Sequence, residues 1–289
     1  MNKLEKLAEE TKTAMEKMSG KKVQICQGTC KGETMIGLSI YDPSNNVSPV
    51  VYLDPGKDFD IPVKKLAKKI LDVIEANTPE TNFDTSKFED FEKVKERIIM
   101  LLVNQEQNKE LLKEVPYVEL TDDLVLIFKY VFGQASVTIR NKHVKEWGAS
   151  VEELLTIAEK NTPTFCPVET VNLSSFTSER AQRKVADAGY YILSNEQRLY
   201  GATAMAYPYL MKRLCKMFHC NRMLVLPISV HELLFYPVVN EDNLERMMEE
   251  SLKMTQENNK TSNPEEFLSN SVYLYDSSQN GFATCSFVE

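Results

Sequence analysis

Glycine is scarce in this chain, with ten in 289 residues. None falls in a G-x-G-x-x-G or P-loop spacing, so the backbone cradles that usually hold phosphates are missing. Histidine is scarcer still, at three. The stretch HELLF, which begins at His231, opens like a zincin helix but lacks the second histidine four residues on, which excludes a metalloprotease by that route. No G-x-S-x-G elbow occurs either. Positive charge is in deficit: 34 Lys plus Arg against 42 Asp plus Glu leave a net charge of -8. Such a surface repels phosphate backbones and anionic lipid, so neither nucleic acid nor membrane is an expected partner. No apolar run approaches the roughly 18–20 residues needed to span a bilayer. The opening residues, MNKLEKLAEETKTAMEKMSG, carry charge throughout and contain no secretory core, so a cytoplasmic location is expected. Six cysteines are too few for a disulfide scaffold of this length, and reduced thiols agree with that location.

What is present is a globular balance, 43% hydrophobic and 26% charged, enough for a sizeable core. Leu4, Leu7, Thr11, Ala14, Met15 and Met18 repeat at helical spacing, and Gly20 ends the run. KVQICQGT, TMIGLSIYD and PVVYLD then read as an antiparallel meander. IPVKKLAKKILDVIEAN is an amphipathic helix with Val63, Leu66, Ala67, Ile70, Val73 and Ile74 inward. The polar stretch Thr78–Asp90 reads as a linker. The expected organisation is therefore a helix-plus-meander unit over 1–80 and a larger unit over 81–289, the two able to pack as one domain.

In the larger part, VKERIIMLLVN reads as a strand, QEQNKELLKEV as a short helix, and LTDDLVLIFKYVF with ASVTIRN as a strand pair. Ser150 with Glu153 marks a capping box whose helix should stop near Asn161, before Pro163. LSSFTSERAQRKVADAG reads as an exposed loop. YYILSN and YGATAMAY suggest another strand pair, and Pro208 should sit in the first turn of the helix PYLMKRLCKMF. RMLVLP and ELLFYPV are strands, and NEDNLERMMEESLKMTQENN is a helix with methionines on its inner side. A short helix and the strands SVYLYD and GFATCSFV close the chain. Many short strands mixed with about six helices, without strand–helix alternation, predict an α+β fold with a mostly antiparallel mixed sheet or sheets.

Residues with chemistry are few. Cys26 and Cys30 stand four apart, and CKMFHC holds Cys215, His219 and Cys220, but paired zinc knuckles are usually C-x2-C. Buried small residues explain these cysteines better, and neither metal nor cofactor is expected. Ser229, His231 and Glu232 form the best catalytic candidate: on a strand, Ser229 and His231 would face one side about 7 Å apart. Asp122 and Asp123 could supply acid from elsewhere, and Cys166 or Cys285 could partner His231 equally well. The competing reading of His231 is a polar residue that bonds backbone where one strand ends and the next begins. His143 and Trp147 share a helical face, either as a packing pair at a surface groove or as an aromatic anchor for a partner. Tyr200 and Tyr207 belong to a tyrosine-rich stretch that could add to a binding surface.

Five stretches together, LLVNQEQNKELLKEVPYVEL, SVTIRNKHVKEWGASVEELLTIAEKNTP, LSNEQRLYGATAMAYP, VLPISVHELLFYP and NPEEFLSNSVYLYD, resemble the bacterial domain of unknown function 5688 family. The resemblance runs from about Ile61 to Asp276 and rests on the order and spacing of all five. The family stretch at His231 reads closer to LPSSIHE, so Ile228 stands at the first serine. The resemblance implies a soluble bacterial protein and no activity. The sequence thus leaves two expectations: a non-catalytic protein- or peptide-binding or regulatory module, or a hydrolase built on Ser229, His231 and Glu232.

Overall fold

The structure, a computed structural model, describes residues 3–30, 33–41, 49–78, 88–132, 135–172 and 189–285. Most of the expected linker and the whole of LSSFTSERAQRKVADA lie outside these residues. The chain divides into two compact units, Met1–Ser86 with Phe132–Ala135, and Lys87–Val131 with Ser136–Glu289. The fold is α+β, as expected, and its sheets are mostly antiparallel.

In the first unit, α1 (Lys3–Ser19) and α2 (Val63–Asn77) pack with a three-stranded sheet in the order β1 (Lys22–Cys30), β2 (Glu33–Tyr41), β3 (Val51–Tyr52). The helices bury Leu7, Ala8, Thr11 and Met15 from α1 and Leu66, Ala67, Ile70 and Ile74 from α2. Met18 and Val73, both assigned inward from the spacing, are exposed. Gly20 ends α1 in the left-handed conformation, φ 67°, and its N–H donates to Glu16 O. Gly37 answers a different need. A Cβ there would lie 2.6 Å from Val50 and 2.9 Å from Tyr52, so only glycine lets that segment cross β2.

The second unit holds two sheets. The four-stranded one pairs β4 (Ile98–Asn104) with β6 (Leu124–Phe132), which also pairs with β5 (Tyr117–Glu119) and β7 (Ala135–Thr138). All seven residues of β4 are buried, which is why its apolar run shows no period. Two short helices, α3 (Phe91–Val94) and α4 (Lys109–Leu112), flank this strand in sequence, followed by α5 (Asn141–Trp147) and α6 (Val151–Phe165). An edge strand leaves backbone groups that need partners, and side chains supply them. Thr162 Oγ1 accepts the Met100 N–H and Thr203 Oγ1 the Leu102 N–H, each at 3.0 Å. Asn161 Nδ2 donates to the carbonyls of Lys95 and Ile98. These tethers carry α6 past Asn161 to Phe165, through Pro163. The proline sits in the last turn, where it deprives only the carbonyl one turn back.

The six-stranded sheet runs β13 (Gly281–Cys285), β12 (Val272–Asp276), β10 (Arg222–Pro227), β11 (Leu233–Val238), β9 (Tyr191–Asn195), β8 (Val168–Asn172). The helix α8 (Leu244–Thr261) lays Leu252, with Met247, Met248 and Met254 beside it, on a core of Ile192, Leu224, Leu226, Leu234 and Val272. The expected strand YGATAMAY is instead a 3-10 helix, Gly201–Ala206. Gly201 through Met205 are all buried, so no alternation distinguished the two. Pairing for β9 comes from β8 and β11. Pro208 lies outside α7 (Leu210–Met217), which begins after a left-handed Tyr209.

Candidate functional site

The connection from β10 to β11 is a tight turn, not a strand. The N–H groups of Ile228 and Ser229 both donate to Glu232 O. Ser229 Oγ accepts the His231 N–H at 3.0 Å. Ser194 Oγ, from β9, donates to His231 O at 2.8 Å, and Asn258 Nδ2, from α8, donates to Ile228 O at 2.9 Å. The imidazole is engaged too: His231 Nδ1 accepts the backbone N–H of Tyr200 at 3.0 Å. That bond fixes the tautomer, leaving the ring proton on Nε2.

The partner loop follows β9. Asn195 is buried and clasps Leu199 twice, with Oδ1 accepting its N–H and Nδ2 donating to its carbonyl. Arg198 and Tyr200 both take left-handed backbone, at φ 52° and 54°. Such residues cost about 1–3 kcal/mol each and persist only where the surroundings hold them. Gly201 follows because a Cβ there would lie 2.2 Å from Ser194 Oγ and 2.5 Å from His231 O. The strain is thus met by Asn195 on one side and His231 on the other.

This scaffold presents a mixed surface. Tyr200 is 38% and Leu199 55% exposed, and the Tyr200 ring packs against the imidazole at 5.5 Å between centroids. Arg198 pairs with Glu169 at 2.7 Å and more loosely with Glu232 at 3.7 Å. Lys129, on β6, places Nζ 5.8 Å from the Tyr200 ring. Burial pushes that ammonium below the ordinary lysine range, and among the described residues no carboxylate lies within ion-pair distance of it. The structure therefore gathers Ser229, His231, Glu232 and Tyr200 in one place. Ser229 Oγ and His231 Nδ1 each accept a backbone N–H, the Glu232 carboxylate faces Arg198, and no hydrogen bond joins Ser229 Oγ to the imidazole.

The other candidates sit elsewhere. His143 and Trp147 share a face of α5, with ring centroids 5.9 Å apart. Phe88 covers that face: it meets His143 at 4.9 Å and Trp147 at 5.3 Å, and its carbonyl accepts the indole N–H at 2.9 Å. The anchor is occupied from within the chain. His143 Nδ1 accepts the Arg140 N–H and closes the first turn of α5. Burial, aided by Lys142, lowers its pKa. Tyr207 is buried, donating its hydroxyl to Cys166 O at 2.7 Å. Its place is the core, not a surface.

Asp123, considered as a distant acid, is held by hydroxyls instead. Tyr273 OH donates to it at 2.5 Å and Ser269 Oγ at 2.6 Å. With Asp122, Lys109, Lys113 and Tyr117 it lines a cleft of about 490 Å³. Burial raises the Cys166 thiol and pushes that of Cys285 up to about 11, which leaves each mainly as the less reactive thiol. Among the described residues no three His, Cys, Asp or Glu side chains group to hold a metal ion. Cys30 has no described side chain.

Sequence reading missed Lys129, Arg198, Leu199 and Asn195. The signal for Lys129 was available: it is the lone charge inside the apolar run LVLIFKYVF.

A model of a family of unknown function, DUF5688, matches residues 4–277, and the chain belongs to this family. The match begins well before Ile61, so it takes in both units. Neither a curated protein nor a solved structure matches the chain.

Proposed function

We propose that this member of a family without an assigned activity is a non-catalytic binding module for a protein or peptide, and that Arg198, Leu199, Tyr200, His231 and Lys129 make its contact surface. The observation that carries the reading is Lys129. A desolvated ammonium is unfavourable in isolation, yet this one, with no anionic partner among the described residues, lies beside a half-exposed aromatic ring. A partner that seats an apolar side chain on Leu199 and Tyr200 and brings a carboxylate to Lys129 would relieve that cost. Left-handed Arg198 and Tyr200, clamped by Asn195 and His231, supply a surface that is already ordered before binding. The ligand class is therefore an acidic peptide segment with an aromatic or large aliphatic anchor.

The hydrolase reading draws no comparable support, because Ser229 Oγ and His231 Nδ1 each accept a backbone N–H and no hydrogen bond joins them.

The test is selection of displayed peptides on the full chain, followed by affinity measurement. Enriched peptides should pair Asp or Glu with an aromatic or aliphatic residue. Lys129→Met and Tyr200→Ala should each weaken binding about tenfold, or roughly 1.4 kcal/mol. Failure to enrich any peptide, or an affinity indifferent to Lys129→Met, would overturn the proposal.

A further inference from the structure

The stretch CKMFHC has the look of a metal motif, but its geometry is that of a helix end. The helix α7 closes at Phe218, and His219 then turns left-handed at φ 52°. The Cys220 N–H donates to Cys215 O at 3.0 Å, and the His219 N–H to Lys216 O at 3.4 Å. These are the two bonds of a Schellman cap, in which the third residue from the helix end and the second residue beyond it touch. Apolar side chains usually fill those two places. Here both are cysteines. His219, which the spacing would put on the helix face of Cys215, is instead the residue that turns the chain.

The cap bond from the Cys220 N–H to Cys215 O brings the two residues together, and after burial it is the neighbouring Cys220 that raises the Cys215 thiol. Burial raises the Cys220 thiol, while backbone hydrogen bonds from Arg222 and Val238 work the other way. Disulfides need Cα atoms about 4.4–6.8 Å apart. A continuous helix holds residues five apart too far from one another for this, and the left-handed turn at His219 folds them together. Exposure divides the pair. Cys215 is 2% exposed, whereas Cys220 is half-buried.

We propose that Cys215 and Cys220 are a redox-sensitive pair that closes to an intrachain disulfide when a hydroperoxide reaches Cys220. In the first step the Cys220 sulfur attacks the peroxide O–O bond. The S–O bond forms, the O–O bond breaks, and the departing oxygen takes the thiol proton to leave as alcohol or water. In the second, the Cys215 sulfur attacks the Cys220 sulfenic acid, the S–S bond forms, and the hydroxyl leaves with the Cys215 proton as water. Two thiols lose two electrons and one peroxide gains them. The thiolate is the attacking form, and the N–H groups of Arg222 and Val238 favour it. Burial pushes the Cys215 thiol up to about 12 and raises that of Cys220, so the pair rests as thiols and responds to sustained oxidant. Closure would cross-link the end of α7 to the residues leading into β10.

The experiment treats the full chain with hydrogen peroxide, alkylates the remaining thiols and digests with trypsin without reduction. Cleavage at Lys216 separates the two cysteines, so a disulfide joins the peptides Leu214–Lys216 and Met217–Arg222. Their joined form should appear, vanish with dithiothreitol, and remove two of the six alkylatable thiols. Met217, 58% exposed in the same peptide, reports the dose through its sulfoxide. In Cys215→Ala, Cys220 should stop at a sulfenic acid that dimedone traps. The proposal is overturned if both cysteines are still alkylated separately once Met217 is oxidised, or if Cys220 joins a different cysteine. The wild-type peptide map decides this even if the variant does not fold.

Discussion

His231 Nδ1 accepts the Tyr200 N–H at 3.0 Å, across 31 residues of chain, and that one bond ties the β10–β11 turn to the loop after β9. Replacing the imidazole by alanine leaves a backbone donor without its partner and Tyr200 without a restraint on its left-handed conformation. We expect His231→Ala to cost about 1–2 kcal/mol in urea unfolding. The Tyr200 amide should exchange with solvent faster by more than the global loss explains. His231→Asn, whose carbonyl oxygen can stand in for Nδ1, should recover much of the protection. Equal exchange in all three proteins would mean that the bond does not hold the loop.

Gly201 gives a steric test of the same joint. Its missing Cβ is what allows Ser194 Oγ and His231 O to approach. Ser194 Oγ could rotate aside, but His231 O and Asn195 N, at 2.5 and 2.7 Å, are backbone and cannot. Gly201→Ala should destabilise by about 3 kcal/mol, at the upper end for overpacking, and should disturb the amide signals of Ser194 and His231. A change within a few tenths of a kcal/mol would show that the turn can yield.

Thr162 and Thr203 close the edge of β4 from two different elements. Valine keeps the shape of threonine but removes the acceptor, so each buried N–H is left without a bond. Thr162→Val and Thr203→Val should each cost about 1–3 kcal/mol, while serine at either position should cost less. The residues do not touch the same amide, so the double variant should be close to additive. Calorimetric or urea unfolding of the five variants checks this.

These residues also show where the sequence was readable. Period and capping chemistry located α1, α2, α6 and α8, because each buries one face and leaves the other wet, and β9 to β13 were legible as apolar runs between turn signals, whereas β8 was not. Buried runs had no such signature. The sequence β4 is apolar on both sides, and Gly201–Met205 is buried throughout, so a 3-10 turn passed for a strand. The end of α6 was misjudged because Pro163 is a local signal, whereas Asn161 and Thr162 are fixed by partners more than sixty residues away. For the site, the joint at His231 was legible as the meeting of two strands. The loop that it holds was not, since left-handed Arg198 and Tyr200 carry no glycine to announce them.

Lys129 is expected to trade stability for binding. Its ammonium is desolvated without an ion pair among the described residues, so an uncharged chain of similar length should suit the site better in the free protein. Lys129→Met should raise stability by about 1 kcal/mol while weakening the peptide affinity described above. A lowered lysine pKa also has a sign. The unfolded chain holds the proton more tightly, so this group's contribution to stability increases as pH rises through the folded value. Lys129→Met should flatten that part of the curve. A variant that loses stability would mean that the stem packing outweighs the buried charge.

His143 gives the opposite end of the pH range. Burial and the neighbouring Lys142 and Arg140 lower its pKa, with Glu146 working the other way, and its neutral Nδ1 caps α5 by accepting the Arg140 N–H. Below the ordinary histidine value of about 6.5, the unfolded chain takes up a proton that the folded chain resists. Stability is therefore fully present above that value and is lost as pH falls toward and through the folded one. The imidazolium also can no longer accept the amide, and its edge-on contact with Phe88 is disturbed. His143→Gln keeps an acceptor at the third position of the helix, as capping boxes do, and does not titrate. Between pH 7.5 and 5.5 the wild type should lose more stability than His143→Gln, with the two curves converging at the alkaline end. Parallel curves would assign the acid sensitivity to another group.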